Sequence, residues 1–481
     1  MAQFTETVEK LVSIVGKEHV KTEPDDLATH AVDNLKPKAV VFPKDTQQVS
    51  KVVELASREN LAIVPRGSGS KMSMGNPPKR LDLVVCTSRM NHMIDVDTSN
   101  LTITVEAGVK FRDIQARLAT EEDRCYLPLG DLTSQADEAI CSDRSHSGCF
   151  LPIDPPFSDI ATIGGIIATN STGPRRLLYN LPRDMILGVR LVAPSGLIAG
   201  AGGKTVKNVS GYDTSKLMAG SLGTLGIMCE MTFRLLPLPE KMATLLLSFE
   251  SFSDASKVAK QIFDTTLLPA AVEVMNGATF TAMNIKDAPG FEPGEYVVVV
   301  AFEAFQEAVD RMRSEIKKMG LDLGAKSDAS LDDASHQRFW LAVSELEGML
   351  ARKFSGLVCA KLNYRISEWE DVYNFCQKVL SDSKIDYSLQ AHAGSGICLL
   401  RLLIAESDGE TTEAAARALE KMLQKSVEAG GNLVIQRAPA SAKGKLRMWG
   451  ELSPDFIVMR RLKEQLDTSG IMSPGRFVGG L

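Results

Sequence analysis

Between residues 158 and 236 the chain places Gly164-Gly165, Gly173, Gly202-Gly203, Gly211, Gly220, Gly223 and Gly226 among short β-branched runs. Glycine at this density lets a backbone turn sharply, or lie against something flat or charged where a Cβ would obstruct. The spacing is irregular, which excludes a collagen repeat and a flexible linker. Two readings follow: a turn-rich β scaffold, or a ligand slot lined by bare main chain.

A second glycine element lies upstream. The run 39–42 reads as a strand, and Val49, Val52, Val53 and Ala56 fall on one face of a helix that Thr46 is placed to cap. The apolar run 61–64 then ends in Pro65-Arg66-Gly67-Ser68-Gly69-Ser70-Lys71. This β-α-β unit delivers a Gly/Ser loop with unpaired N–H groups to the C-terminal end of a strand, a setting that receives an anion. It is not a Rossmann fingerprint, because the third glycine of GxGxxG falls on Met72 and no helical pattern follows. Gly202-Gly203-Lys204-Thr205 likewise fails as a Walker A loop, since its first glycine position holds Ile198.

At 481 residues the chain has room for two or three domains with sizeable cores. A net charge of -6 and the lack of a basic stripe argue against nucleic acid as a partner. No apolar run approaches a bilayer span; the nearest, 397–404, is broken by Arg401. The opening MAQFTETVEKLV lacks the basic and apolar regions of a secretory signal, so a cytoplasmic location is expected, with a membrane reached only through a partner. The eight cysteines form no CxxC pair and are expected as reduced thiols. No tight cysteine run is present for iron–sulfur ligation, so any such cluster must come with a partner.

Strands are predicted at 81–85 and 101–107 and a helix at 111–118, before the chain turns polar over 130–148. Cys125, Cys141, His146 and Cys149 supply four N/S donors, but not as the close pairs that zinc modules bring. A loop carrying thiols is the expectation there, with no metal. After Pro239 the pattern becomes two successive β-α-β-β-α-β passes, over 245–319 and 358–436, a ferredoxin-like α+β plan. A helix at 456–466 leads into Ser469-Gly470-Ile471-Met472-Ser473-Pro474-Gly475-Arg476, which is too apolar and turn-shaped for a free end. The expected division is 1–240, a cap at 241–440, and a segment at 441–481 packing back on the first unit.

These same residues carry a family resemblance. Pro65-Arg66-Gly67-Ser68-Gly69 resembles the PRGxG loop of FAD-linked oxidases of the vanillyl-alcohol oxidase type. The run from Ile163-Gly164-Gly165 through Ala168-Thr169-Asn170 to Gly173 resembles their IGGxIAxNxxG element. Gly211-Tyr212-Asp213 followed by Gly220-Ser221-Leu222-Gly223-Thr224-Leu225-Gly226-Ile227 is similar to GYD…GSxGTLGI, and the tail is similar to GIxNPGR with Ser473 at the asparagine. The resemblance implies an α+β chain: a two-subdomain PCMH-type FAD-binding domain plus a ferredoxin-like cap. It implies that Pro65 and the loop Arg66, Gly67, Ser68, Gly69, Ser70 and Lys71 hold the FAD pyrophosphate through backbone N–H groups. Ile163, Gly164, Gly165, Ala168, Thr169, Asn170, Gly173, Gly223, Gly226 and Ile227 would line the rest of the cofactor. Ser70 stands where some relatives carry the histidine that links FAD covalently, so noncovalent FAD is expected.

Within this family the chain is similar to the FAD subunits of bacterial glycolate oxidase and related D-2-hydroxy-acid dehydrogenases. One branch carries a metal signature, HxGDGNxH. Here His392 stays, while Ser395, Ile397 and Leu399 take the aspartate, asparagine and second histidine positions, so no metal is expected. Gln436-Arg437-Ala438-Pro439-Ala440 and Met448-Trp449-Gly450 resemble the accessory-subunit branch. The implied reaction oxidises a small 2-hydroxy acid such as glycolate or D-lactate and passes electrons to an iron–sulfur or other electron-transfer subunit. The implied alternative is a flavin-bearing relay subunit without turnover of its own. The oxidation needs a base for the hydroxyl proton and a cation for the carboxylate. His392 is the candidate base, and Lys361 and Arg365, expected on one strand face, are the candidate clamp. Lys207, Asn208 and Tyr212, beside the glycine slot, are candidate contacts to flavin or substrate.

Overall fold

The computed structural model describes residues 2–119, 148–204, 212–405 and 409–481. Cys125, Cys141 and His146 of the possible zinc set, and Lys207, Asn208 and Gly211 beside the slot, lie outside the described residues.

The first layer is a four-stranded sheet in the order Val20–Lys21, Ala39–Val41, Leu83–Cys86, Ile63–Arg66, the last three parallel. The helix Thr46–Arg58 makes the crossover and buries Val49, Val52, Val53 and Ala56, as their periodicity predicts. Its cap is Asp45, whose carboxylate accepts the Gln48 N–H at 2.8 Å. Thr46 sits inside the first turn instead, where its hydroxyl donates to Glu230 Oε1 at 2.8 Å.

A second, five-stranded antiparallel sheet takes three strands from the glycine-dense stretch, Ile186–Val192, Ile198–Gly202 and Ile227–Arg234, beside Thr102–Glu106 and Met93–Asp97. One run departs from its β-branched composition: Ile163–Thr169 is a helix. Gly164 lets it sit against the sheet. Its N–H donates to Ala107 O at 2.9 Å, and an added Cβ would meet Ala107 Cβ and O at 2.9 Å.

In the cap the two ferredoxin-like passes fuse into one eight-stranded antiparallel sheet. Its order is Ser327–Asp332, Lys241–Phe249, Tyr296–Ala304, Ala271–Asn276, Tyr387–His392, Ile397–Leu402, Val358–Asn363, Asn432–Arg437. The period-2 alternation decides the faces. Leu245, Leu247, Val274, Val298, Leu389, Leu400 and Leu362 share a core with the helices Phe252–Phe263, Gln306–Asp322, Trp369–Ser383 and Gly409–Glu428. On the other face the first half-sheet is apolar and covered by the long helix Asp333–Lys353. The two halves meet at a seam where Glu273 pairs with His392 and Met275 with Gln390.

The tail returns to the first sheet. Ile471 O accepts the Ile63 N–H, and the Ser473 N–H donates to Ile63 O, both at 2.7 Å. Arg476 donates to Met72 O and Met74 O at 2.7 and 2.6 Å, tying the tail to the Gly/Ser loop. Between the first unit and the cap, Arg175 Nη2 reaches Glu303 Oε2 at 2.6 Å, and the Tyr179 hydroxyl donates to the same oxygen at 2.7 Å. The six described cysteines are free and buried. Among the described residues no helix is long and apolar enough to cross a membrane.

Candidate active site

The Gly/Ser loop and the helix Ile163–Thr169 line a groove of about 630 Å3. Pro65, Gly67, Ser68, Gly69, Ser70, Lys71, Gly165, Ala168, Thr169 and Gly223 all line it. Asn170 and Gly173 line a second cavity, of about 840 Å3. Pro156, Thr169 and Ser171 belong to both, so the groove and the cavity adjoin. Gly165 presents bare backbone: an added Cβ would meet only Thr162 Oγ1, at 3.3 Å. Gly69 has φ 87°, a left-handed conformation that a side chain would strain. The buried Thr162 Oγ1 and Asn170 Oδ1 have no hydrogen-bond partner among the described residues, which is unusual for buried polar atoms and is relieved by a polar ligand. A long groove with an open glycine wall and orphaned polar atoms beside it fits an extended dinucleotide. Its described lining offers no histidine, cysteine or tyrosine for a covalent link.

Six expected contacts line neither the groove nor the cavity. Ile163 and Ile227 are buried in the cores. Gly164 packs on Ala107, and an added Cβ at Gly226 would meet Val192 O at 2.7 Å, so both serve close backbone packing. Arg66 folds over Gly69 and donates to Thr29 O at 3.4 Å. Tyr212 is fully exposed. The Lys71 ammonium also turns from the groove, to Glu347 Oε2 at 2.7 Å. Glu347 in turn accepts from Arg437 Nε at 3.0 Å, joining loop, cap helix and cap sheet. Burial would raise the Glu347 carboxyl, but Lys71 and Arg437 hold it below the ordinary carboxylate range.

The second cavity opens on the face of the second cap half-sheet turned away from the helices Trp369–Ser383 and Gly409–Glu428. His392, Gln390, Leu399, Arg401 and Lys361 line it. His392 Nδ1 lies 2.7 Å from the Glu273 carboxylate, which also accepts from Gln390 Nε2 at 2.7 Å. Burial pushes the Glu273 carboxyl above its ordinary value, against the pull of His392. Burial also lowers Lys361 to about 8, with Arg176 and Lys71 pushing the same way. The first unit contributes Asp154, whose carboxylate accepts the Gly173 and Arg175 N–H groups at 2.9 and 2.8 Å. Burial raises the Asp154 carboxyl.

Arg365 does not join Lys361. The strand ends at Asn363, and Arg365 donates N–H and Nε to Ala429 O at 3.0 and 3.2 Å, just beyond the helix Gly409–Glu428. A cation is favoured there by the free carbonyls of the helix end. The cations that reach the cavity beside Lys361 are Arg176 and Arg401. Sequence reading missed them, along with Glu273 and Asp154. For Arg401 a signal existed: a lone arginine interrupting the apolar run 397–404 is worth a functional question. Among the described residues no three His, Cys, Asp or Glu side chains gather to hold a metal ion.

Comparison with known proteins agrees with this geometry. Residues 37–134 and 142–202 match the FAD binding domain, and residues 238–477 match the C-terminal domain of FAD linked oxidases. The chain is 26% identical to the glycolate oxidase subunit GlcD of Bacillus subtilis, covering 97% of this chain and 96% of that one. It is 28% identical to a D-lactate dehydrogenase of Archaeoglobus fulgidus, covering 95% and 94%. Among solved structures, substrate-bound p-cresol methylhydroxylase superposes with a TM-score of 0.74 at 17% identity, over 99% of this chain and 97% of that one. The chain belongs to the FAD-linked oxidases: it is an FAD-dependent oxidoreductase with a PCMH-type FAD-binding fold.

Proposed function

We propose that the chain oxidises a small 2-hydroxy acid such as glycolate or D-lactate to the 2-oxo acid, with noncovalent FAD along the groove. The observation that carries this reading is the buried Glu273–His392 pair, set in a cavity that adjoins the groove and is lined by cations. Bound FAD supplies the two-electron acceptor. With Nδ1 engaged by Glu273, His392 keeps Nε2 for the substrate hydroxyl. The carboxylate fixes the ring and stabilises the imidazolium formed when the hydroxyl proton is taken. Arg176 and Lys361 are the cations available for the substrate carboxylate.

The working division is an FAD unit at 1–240, a cap at 241–440 and a returning tail at 441–481. Electrons leave for an iron–sulfur or other electron-transfer subunit, and the chain works in the cytoplasm, meeting a membrane only through that partner. The test is anaerobic mixing of the FAD-loaded chain with glycolate or D-lactate. Bleaching of the visible flavin band is expected. Bleaching only after the partner subunit is added would make this chain a relay instead.

A further inference from the structure

We infer that the cap is part of the cofactor site: Glu347 and Arg437 are positioning residues for FAD, acting through Lys71 on the loop that receives the pyrophosphate. Among the described residues no cap side chain lines the groove. The link is an ion pair with one partner on each side. Lys71 lines the groove and Glu347 lines the adjoining cavity, 2.7 Å apart, with side chains only 9% and 8% exposed. Arg437 Nε closes on the same carboxylate at 3.0 Å. Phe157 completes the cluster: the Lys71 ammonium lies 5.1 Å and the Arg437 guanidinium 5.7 Å from its ring centroid. Phe157 holds φ 59°, a left-handed conformation that is costly for an aromatic residue. Its N–H donates to Ser344 O at 3.4 Å, and its ring lies over Gly348, where an added Cβ would meet Cε1 at 3.1 Å. The helix Asp333–Lys353 thus omits a side chain to seat a strained residue of the first unit beside the pair.

The loop is held largely from outside. Its internal backbone bonds are turns, from the Met72 N–H to Gly69 O at 3.2 Å and from the Met74 N–H to Lys71 O at 3.0 Å. Its other attachments are charged groups from distant elements. Glu347 takes Lys71, Arg476 donates to Met72 O and Met74 O, and Lys443 Nζ donates to Gly75 O at 2.9 Å. Arg437 and Lys443 stand at the two ends of the segment 437–443, so that stretch is fastened to the loop twice. Met72 lines the groove and Met74 the cavity, which makes the loop a wall common to both. Backbone N–H groups grip a diphosphate only when their directions are fixed. Removing one partner of a buried ion pair strands the other charge, at far greater cost than the pair itself contributes. Without Glu347 the stranded charge is the Lys71 ammonium, and it reaches water only by pulling the loop from its seat. Arg437, 23% exposed, already has water within reach. The cap carboxylate therefore sets the direction of the loop's N–H groups without touching the cofactor.

The test titrates the full-length deflavinated chain with FAD, read by flavin fluorescence, with the empty form melted alongside. Glu347→Gln should raise the Kd for FAD at least about tenfold in the folded protein. Adding Lys71→Met to that variant removes the stranded ammonium, and the Kd should return to within about threefold of the parent. Arg437→Gln, which leaves Lys71 on Glu347, should raise the Kd by about threefold or more. A merely structural role lowers the melting temperature of Glu347→Gln and leaves its Kd unchanged, which overturns the proposal. A tighter Kd in Glu347→Gln, or a double variant no better than Glu347→Gln alone, overturns it too, because the ammonium then serves the pyrophosphate directly. Should Glu347→Gln fail to fold, Arg437→Gln decides: a raised Kd in folded protein supports the proposal, and an unchanged one refutes it.

Discussion

Replacing Gly165 by alanine separates the cofactor groove from the scaffold around it. The new Cβ meets only Thr162 Oγ1, at 3.3 Å, so the empty protein loses little. Helix propensity even favours alanine over glycine by up to about 1 kcal/mol. The same methyl projects into the groove, and a cofactor lying against the bare Cα must retreat or compress it. Overpacking of this kind costs about 1–3 kcal/mol, which raises the Kd for FAD about 5- to 150-fold. Gly164→Ala inverts the pattern. Its methyl meets Ala107 at 2.9 Å, so about 1–3 kcal/mol is lost from folding, while the folded fraction binds FAD normally. The assay is a titration of deflavinated protein with FAD, read by flavin fluorescence, beside thermal melts of the empty form. The reasoning is refuted if Gly165→Ala binds FAD as tightly as the parent, or if Gly164→Ala melts unchanged and loses the cofactor.

Other outcomes follow from the charged groups. Glu273→Gln keeps the shape of the pair but removes the charge behind His392, worth about 1.5–3 kcal/mol for a charge-assisted bond; the rate of flavin reduction should fall about 10- to 150-fold with little change in KM. Lys361, near 8, carries its charge below that pH and loses it above, so substrate affinity should weaken as pH rises through about 8, and Lys361→Arg should move that limb upward. Despite burial, Arg175 and His336 hold Glu303 at about 2, below its ordinary 4.5. The stability it adds is therefore complete above pH 4.5 and lost as pH falls towards 2, about 3 kcal/mol in all; acid melts of Glu303→Gln should lack that slope. Arg365→Ala should leave KM unchanged and cost about 0.3–1 kcal/mol in a melt, the contribution of a cation at a helix end.

Most of the cap was legible because its strands alternate and its helices keep one apolar face, but the strand Ser327–Asp332, with only Leu331 buried, was not placed. The Gly/Ser loop was legible from its position after a strand. Ile163–Thr169 was not: four β-branched residues flank its glycines, and the burial of Ile163, Ile166 and Ile167 with the close packing of Gly164 on Ala107 comes from distant parts of the chain. Asp333–Lys353 was missed because it buries residues all round, including His336, Gln337, Phe339, Trp340 and Glu347, which blurs the polar face that marks a surface helix. Lys361 reached the cavity as expected from strand alternation, but Arg365 did not, because nothing in the spacing says that the strand stops at Asn363. Glu273 could not be paired with His392 from spacing, since 119 residues separate them.

That separation has a consequence for how the chain can be cut. Glu273 comes from one half of the cap and His392 from the other, so the proposed base and its carboxylate partner exist together only when the halves are zipped along the Ala271–Asn276 and Tyr387–His392 strands. A nick at exposed Ser355 would leave neither fragment with a complete pair. Turnover regained on mixing the two pieces would thus be a direct reporter of that zipper closing.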